Sequence, residues 1–312
     1  ENADESPYYI SIVVCQDKIV VLDINTSKVQ LFRLHDGQLL ATTDRLESRP
    51  RDLCLMDAMT ICVLHRDGLI KMVSIDCTDM SRVLKVTRDL RLQGVMDDYC
   101  SVVRFKDSLV VCGDKQDTMY WCVVSLHDGH VDKIHEICKW DGRWCRVTTK
   151  DNMVYVACYA RDEFACHAGG KYRDNTGVYG FYILNPSKCK YKYKHQRLQL
   201  PTSIVVNKDG NIFVCNGGYP CIHQLTSSCQ LVAIFTHGIP WKPYAMFWDN
   251  GRLYVTCWWS SDITVFRPVY QGNHENSEVG TSIEGEQGNV DQGPSSVVTE
   301  IAPSGQVAVD FE

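Results

Sequence analysis

The 312-residue chain is 45% hydrophobic and 22% charged, with a formal net charge of −6. That apolar share is ample for a core and excludes a chain disordered throughout. The charge is local: residues 271–312 hold eight acids and no Lys or Arg, so residues 1–270 carry 32 bases against 30 acids, a near-neutral +2 that neither demands nor excludes a nucleic-acid partner.

A short module then begins six times along the chain. Each copy has a lead residue, an apolar residue three positions on, and an apolar triplet 10 to 12 positions after the lead. In chain order the copies are Pro7, Ile10 and Ile19-Val20-Val21; Pro50, Leu53 and Ile61-Cys62-Val63; Tyr99, Val102 and Leu109-Val110-Val111; Trp144, Val147 and Val154-Tyr155-Val156; Pro201, Ile204 and Ile212-Phe213-Val214; and Pro243, Met246 and Leu253-Tyr254-Val255. The leads are spaced by 43, 49, 45, 57 and 42 residues. A third β-rich run follows each triplet, at 29–34, 70–75, 120–126, 178–184, 222–225 and 263–266. A fourth follows in the first five copies, at 39–43, 83–86, 131–137, 190–194 and 231–235. Asp209-Gly210 and Asn250-Gly251 fall between first and second runs, and Asp36-Gly37 and Asp128-Gly129 between third and fourth, where tight hairpins need positive φ. A period of roughly 40–50 residues with about four strands per copy predicts an all-β, six-bladed β-propeller. Rossmann and (β/α)₈ folds are excluded, because the helices their parallel strands require are missing from the pattern.

These readings divide the chain into a propeller over 1–270, a disordered acidic linker over 271–296 and a short tail over 297–312. The sixth copy has no evident fourth strand. A run at 297–301 or 307–311 is one candidate to close it, or the two runs pair as a hairpin; a strand upstream of residue 1 is the rival. A first residue other than Met points to a fragment or a processed product.

The 16 cysteines form no C-x-x-C pair, which removes RING, B-box and zinc-ribbon sites from this chain. Cys62, Cys112, Cys122, Cys158, Cys215 and Cys257 fall inside predicted strands, and residues on separate blades are usually too far apart to bond. Buried free thiols in a reducing, cytoplasmic setting are expected, with Cys166, Cys221 and Cys229 the best disulfide candidates otherwise. No cofactor or metal is expected: Cys158, Cys166 and His167 lack a fourth ligand at sensible spacing.

Pro201-Thr202-Ser203-Ile204-Val205-Val206-Asn207-Lys208-Asp209-Gly210-Asn211-Ile212-Phe213-Val214 resembles an NHL repeat. Residues 243–255, ending in Ile263-Thr264-Val265-Phe266, are nearly as close, whereas copies three and four lack the lead Pro. The resemblance covers roughly residues 7–268. It implies an NHL-like propeller such as the C-terminal domain of invertebrate tripartite-motif (TRIM-NHL) proteins, in which an N-terminal RING, B-box and coiled coil form a ubiquitin ligase and the propeller recruits protein or structured RNA. None of the ligase cysteines lies in this chain, so the resemblance implies a non-catalytic binding module with no membrane partner, and oligomers only through regions outside this chain. A WD40 reading is weaker, since Trp-Asp occurs only at Trp140-Asp141 and Trp248-Asp249 and the one Gly-His, Gly129-His130, stands just ten residues before the first, too close to mark such a repeat.

Propeller function usually lies on the face built by second-to-third-strand turns and blade-to-blade links. There the sequence places Arg49, Arg66, Lys115, Arg143, Arg161, Lys171, Tyr172, Arg173, Tyr219, Trp241, Lys242, Trp258 and Trp259. Mixed cations and rings suit a protein hot spot and equally suit RNA; the ordinary reading is inter-blade packing and scattered surface Arg. Residues 159–176 form a long insertion in the fourth copy, read as a lid over that face. Lys188, Lys190, Lys192 and Lys194 alternate with Cys189, Tyr191 and Tyr193. This is either a polyanion site or an outer edge strand guarded by lysines. The remaining alternative is a propeller hydrolase using axial calcium. It would draw on the positions two past each triplet, of which Asp23 and Asn216 are possible oxygen ligands and His65, Gly113, Cys158 and Cys257 are not.

Overall fold

The computed structural model describes residues 7–76, 83–92, 94–139, 144–159, 176–183, 189–236, 238–239, 242–258 and 260–267. They form six antiparallel sheets. Blade one is β1 (Tyr9–Cys15), β2 (Lys18–Asp23), β3 (Lys28–Arg33) and β4 (Leu39–Thr42). Blade two is β5 (Pro50–Asp57), β6 (Thr60–His65), β7 (Leu69–Ile75) and β8 (Leu84–Arg91). Blade three is β9 (Asp98–Phe105), β10 (Ser108–Lys115), β11 (Thr118–Ser125) and β12 (Val131–Lys139). Blade four is β13 (Trp144–Lys150), β14 (Met153–Tyr159), β15 (Gly177–Tyr182) and β16 (Cys189–Tyr193). Blade five is β17 (Pro201–Val206), β18 (Ile212–Asn216), β19 (Cys221–Leu225) and β20 (Leu231–Phe235). Blade six is β21 (Pro243–Asp249), β22 (Arg252–Cys257) and β23 (Ile263–Phe266). Within each blade the strands pair in sequence order. The first strands neighbour one another around a ring that closes from β21 to β1. The fold is a six-bladed β-propeller.

Why the triplets are uninterrupted apolar runs is now clear. All six lie in second strands, and their residues are buried to 2% exposure or less. A second strand has a neighbouring blade on both faces, so alternate residues enter different cores. Ile61 and Val63 pack toward blade one while Cys62 and Leu64 pack toward blade three. Val154 and Val156 pack toward blade three while Tyr155 and Ala157 pack toward blade five. Ile212 and Val214 likewise face blade four, and Phe213 and Cys215 face blade six. The core is thus a series of clusters sandwiched between adjacent blades. The outer strands are half wetted, and Leu39, Val86, Ile134 and Leu231 are exposed there.

The module needs one correction. Met246, Ile204, Val147, Val102 and Leu53 each oppose the last residue of their triplets, and in blade one the residue opposite Val21 is Ile12. The lead of blade one is therefore Tyr9, which opposes Asp23, and not Pro7. With that shift every triplet begins 10 or 11 residues after its lead. The fourth strand of blade two also runs further than expected, to Arg91. Gly37, Gly129, Gly210 and Gly251 take the positive φ that their turns require. In blade six three strands are present among the described residues, and the segments considered for its closure lie outside them.

Candidate partner-binding face

Each first strand enters from a blade-to-blade link, and each second strand ends beside that link. One backbone hydrogen bond joins the two in five blades: Ile24 N–H to Tyr8 O (3.0 Å), Arg66 N–H to Arg49 O (2.9 Å), Asp97 N–H to Asp114 O (2.8 Å), Gly217 N–H to Leu200 O (2.7 Å) and Trp258 N–H to Lys242 O (2.9 Å). Side chains two past the triplets reinforce it. Asp23 accepts from Tyr8 N–H at 3.0 Å, Asn25 N–H at 3.1 Å and the Thr26 hydroxyl at 2.7 Å. Asn216 Oδ1 accepts from Gln199, Leu200 and Gly218 N–H, and its Nδ2 donates to Arg197 O. The His65 ring meets the Ser48 hydroxyl at 2.6 Å, and burial, set against the bond to Ser48, pushes its pKa down. Asp23 and Asn216 are thus spent on the turns of their own blades. Among the described residues no three His, Cys, Asp or Glu are arranged to hold a metal.

This turn-and-link face carries the sequence-predicted residues that are described. Arg49 and Tyr219 are exposed, the latter at 50%, while Lys115, Lys242 and Trp258 are half-buried. Arg66 and Arg49 are brought together by their main-chain bond, as are Trp258 and Lys242. Lys242, at φ 54°, holds its ammonium 5.9 Å from the Trp258 ring centroid. That ring stacks on Tyr8 at 6.1 Å and meets Tyr244 edge-on at 5.3 Å. Its indole nitrogen is buried with no hydrogen-bond partner among the described residues. Burial, aided by Tyr8, drives the Tyr244 phenol far above its ordinary pKa. The cations are interleaved with acids. Asp98 takes Arg66 Nε at 2.9 Å and Arg51 Nη2 at 3.1 Å, Asp67 takes Arg91 at 3.4 Å, and Lys115 donates to Gly94 O at 3.3 Å. Arg143, Arg161, Lys171, Tyr172, Arg173, Trp241 and Trp259, with residues 160–175 of the insertion, lie outside the described residues. On the outer strand β16, Lys190 and Lys192 are exposed and Tyr193 is buried. Cys189 is exposed as well, because a bulge between Tyr191 and Cys189 breaks the alternation.

A buried polar network on the propeller axis was not foreseen from the sequence. Arg146 of β13, 4% exposed, projects across the axis. Its guanidinium donates to Ile10 O at 2.9 Å, Cys100 O at 3.2 Å, Arg51 O at 3.3 Å and Thr202 O at 3.4 Å, in four other blades. It also pairs with Asp52 at 2.9 Å. Asp52 accepts from the hydroxyls of Ser11 at 2.7 Å and Ser101 at 2.5 Å and from Val102 N–H at 3.0 Å. Burial pulls the guanidinium down, but Asp52 and the neighbouring phenol and thiols outweigh it and the net shift is upward. On the far side of this plug from the turn-and-link face lies a cavity of ≈ 250 Å³, lined by Leu55, Arg104, Thr149, Val206 and Trp248 among others. The network's acceptors and donors are matched to one another, so it is built to hold blades together.

No family model matches the chain, and no curated protein matches it. Solved structures do. A structure of a Nidogen/Laminin complex contains a chain 12% identical, covering 77% of this chain and 84% of that one with a TM-score of 0.57. A functionally unknown protein from Desulfotomaculum acetoxidans DSM 771 is 13% identical over 81% of this chain and 76% of its own, with a TM-score of 0.56. The computationally designed Ika8 protein is 15% identical over 85% and 72%, with a TM-score of 0.50. At such identities the likeness concerns the propeller fold alone.

Proposed function

We propose that this chain is a non-catalytic binding module that recruits a protein partner through its turn-and-link face. The observation that carries the reading is the aromatic group on the adjacent blades five and six. Tyr219 stands exposed on one turn, and Trp258, capped by Lys242 and backed by Tyr8 and Tyr244, occupies the next. Rings held rigidly at a surface are the usual anchors of protein interfaces. Among the described residues, the pairing of Arg66, Arg51 and Arg91 with Asp98 and Asp67 interrupts any cationic track of the kind a phosphate backbone needs, which favours protein over RNA. We assign the modules to an NHL-like lineage on the strength of residues 201–214 and 243–255. By that kinship the chain would be the substrate-recruiting part of a cytoplasmic TRIM-like ubiquitin ligase.

The test is comparative capture of partners from ribonuclease-treated lysate. Tyr219→Ala and Trp258→Ala should each weaken the captured complex by about 2 kcal/mol or more, with thermal melts confirming that both variants fold. Lys192→Glu, on the outer strand, should bind normally. A structured RNA whose affinity falls steeply with salt, is lost in the Arg49→Glu, Lys242→Glu double variant and rises when residues 271–312 are deleted would instead establish RNA recognition.

A further inference from the structure

The interface between blades three and four contains an unusual concentration of sulfur. Cys112 of β10 and Cys145 of β13 come from different sheets, yet their Sγ atoms are 2.9 Å apart, with Cys145 donating to Cys112. Both are fully buried in one cluster with Cys100 and Cys158. A disulfide needs an S–S distance of about 2.05 Å, so the two sulfurs need approach by less than about 1 Å. A second close pair, Cys54 and Cys62 at 3.2 Å, joins strands already paired in one blade. A bond there would add little constraint. The 112–145 pair differs, because it spans a blade-to-blade contact otherwise held by packing and hydrogen bonds, and the bond would close a loop of 33 residues.

We propose that Cys112 and Cys145 form a redox-modification site, a dithiol that a peroxide converts into a disulfide stapling blade three to blade four. In the first step the Cys112 sulfur attacks hydrogen peroxide. The O–O bond breaks, one oxygen leaves as water and Cys112 becomes a sulfenic acid. In the second step the Cys145 sulfur attacks the Cys112 sulfur, the S–O bond breaks and a second water carries away the remaining oxygen and the two protons. Two thiols lose two electrons and one peroxide gains them. Burial pushes both thiols up, but the bond from Cys145 works against this at Cys112, which makes Cys112 the attacking sulfur and Cys145 the resolving one. Because both are buried, reaction awaits transient parting of the blades and is slower than oxidation of the exposed Cys189.

The experiment treats the folded protein with hydrogen peroxide, blocks remaining thiols after denaturation without reductant, and maps the digest by mass spectrometry. A Cys112–Cys145 cross-link should accumulate. The melting temperature should rise by roughly 5 °C or more, since the loop constrains the unfolded chain, and dithiothreitol should reverse the rise. Cys112→Ser should abolish both changes and Cys189→Ser neither. If Cys112→Ser does not fold, the cross-link map of the unaltered protein decides alone. Cys112 and Cys145 still reduced on prolonged exposure long after Cys189 is fully consumed, reaching unlinked sulfinic acids, or yielding to a dominant Cys100–Cys145 or Cys54–Cys62 bond would each overturn the proposal.

Discussion

Replacing Arg146 with Met keeps most of the side chain's volume and removes the guanidinium. The loss has two parts. The buried carboxylate of Asp52 loses its counter-ion, and breaking such a pair from one side costs about 3–5 kcal/mol. The carbonyls of Ile10, Arg51, Cys100 and Thr202 also lose their donor. Asp52 keeps three donors from Ser11, Ser101 and Val102, which holds the first part within that range, and water entering from the adjacent cavity can serve the carbonyls, so the second part is largely recovered. The expected net destabilisation is about 4 kcal/mol, or a fall in melting temperature of roughly 8–15 °C. Equilibrium urea unfolding and calorimetry would measure it. Arg146→Lys should fail to rescue most of the loss, since an ammonium cannot fork to four carbonyls as a planar guanidinium does. In the double variant with Asp52→Asn the two effects should fall short of additivity by about 1–3 kcal/mol. An Arg146→Met protein within about 1 kcal/mol of the parent, or a strictly additive cycle, would refute the reading of the axis as a structural clamp.

Acid should weaken the fold through His223. Burial, with His195 and Arg197 nearby, pushes its pKa down to about 3, whereas the unfolded chain takes up the proton near the ordinary value of 6.5. The unfolded state then binds the extra proton, so stability should fall as pH drops from about 6.5 toward 3, by up to about 1.4 kcal/mol per unit. Denaturant unfolding at pH 7 and pH 5 should show the slope and His223→Gln should reduce it, leaving what His65 and His195 add in the same direction; a pH-independent midpoint would count against this account. Gly113→Ala should lower the melting temperature sharply, because a Cβ there would sit 2.3 Å from the main-chain oxygen of Asp98 and 3.1 Å from Tyr99 Cα, neither of which can swing aside. An unchanged melt would show that β9 yields more easily than its packing suggests.

The triplets were legible because a second strand is buried on both faces, which turns a period-two pattern into a solid apolar run at a fixed interval. The outer strands were legible from the same interval and from their turn dipeptides. Blade one was misframed by two residues for a physical reason. Most first strands bulge just after their leads, so the distance from lead to triplet is not rigid, and Pro7 offered a plausible start at the longer distance. That frame error hid the axial network. In the corrected frame the residues just before the third-position apolar are Ser11, Asp52, Ser101, Arg146, Ser203 and Ala245. Five of the six are polar, inside strands that are otherwise buried, and one acid and one base stand two blades apart. In the uncorrected frame blade one contributes Tyr9, and the ring of small polar residues is broken. Topology alone puts the described surface residues among the turns and links, but which cations are already paired could not be read from the sequence. Asp98 recruits Arg51 and Arg66 across a blade boundary, a contact between residues far apart in the chain.

The same geometry explains how a face can acquire chemistry without disturbing the ring that carries it. Ile24, Arg66, Gly217 and Trp258 occupy one equivalent position, and each donates its main-chain N–H to the incoming link of its own blade. The bond uses no side-chain atom, and an aliphatic chain, a cation, a glycine and an indole all occur there. The axial clamp works in the opposite sense. It depends on one guanidinium at a unique position and on carbonyls from four other blades, so it tolerates little change and gives the ring a fixed diameter. A platform held from its centre and varied at its turns suits the recruiting role proposed above. It also puts the proposed binding residues where sequence periodicity carries the least information, because the feature that repeats there is a main-chain bond.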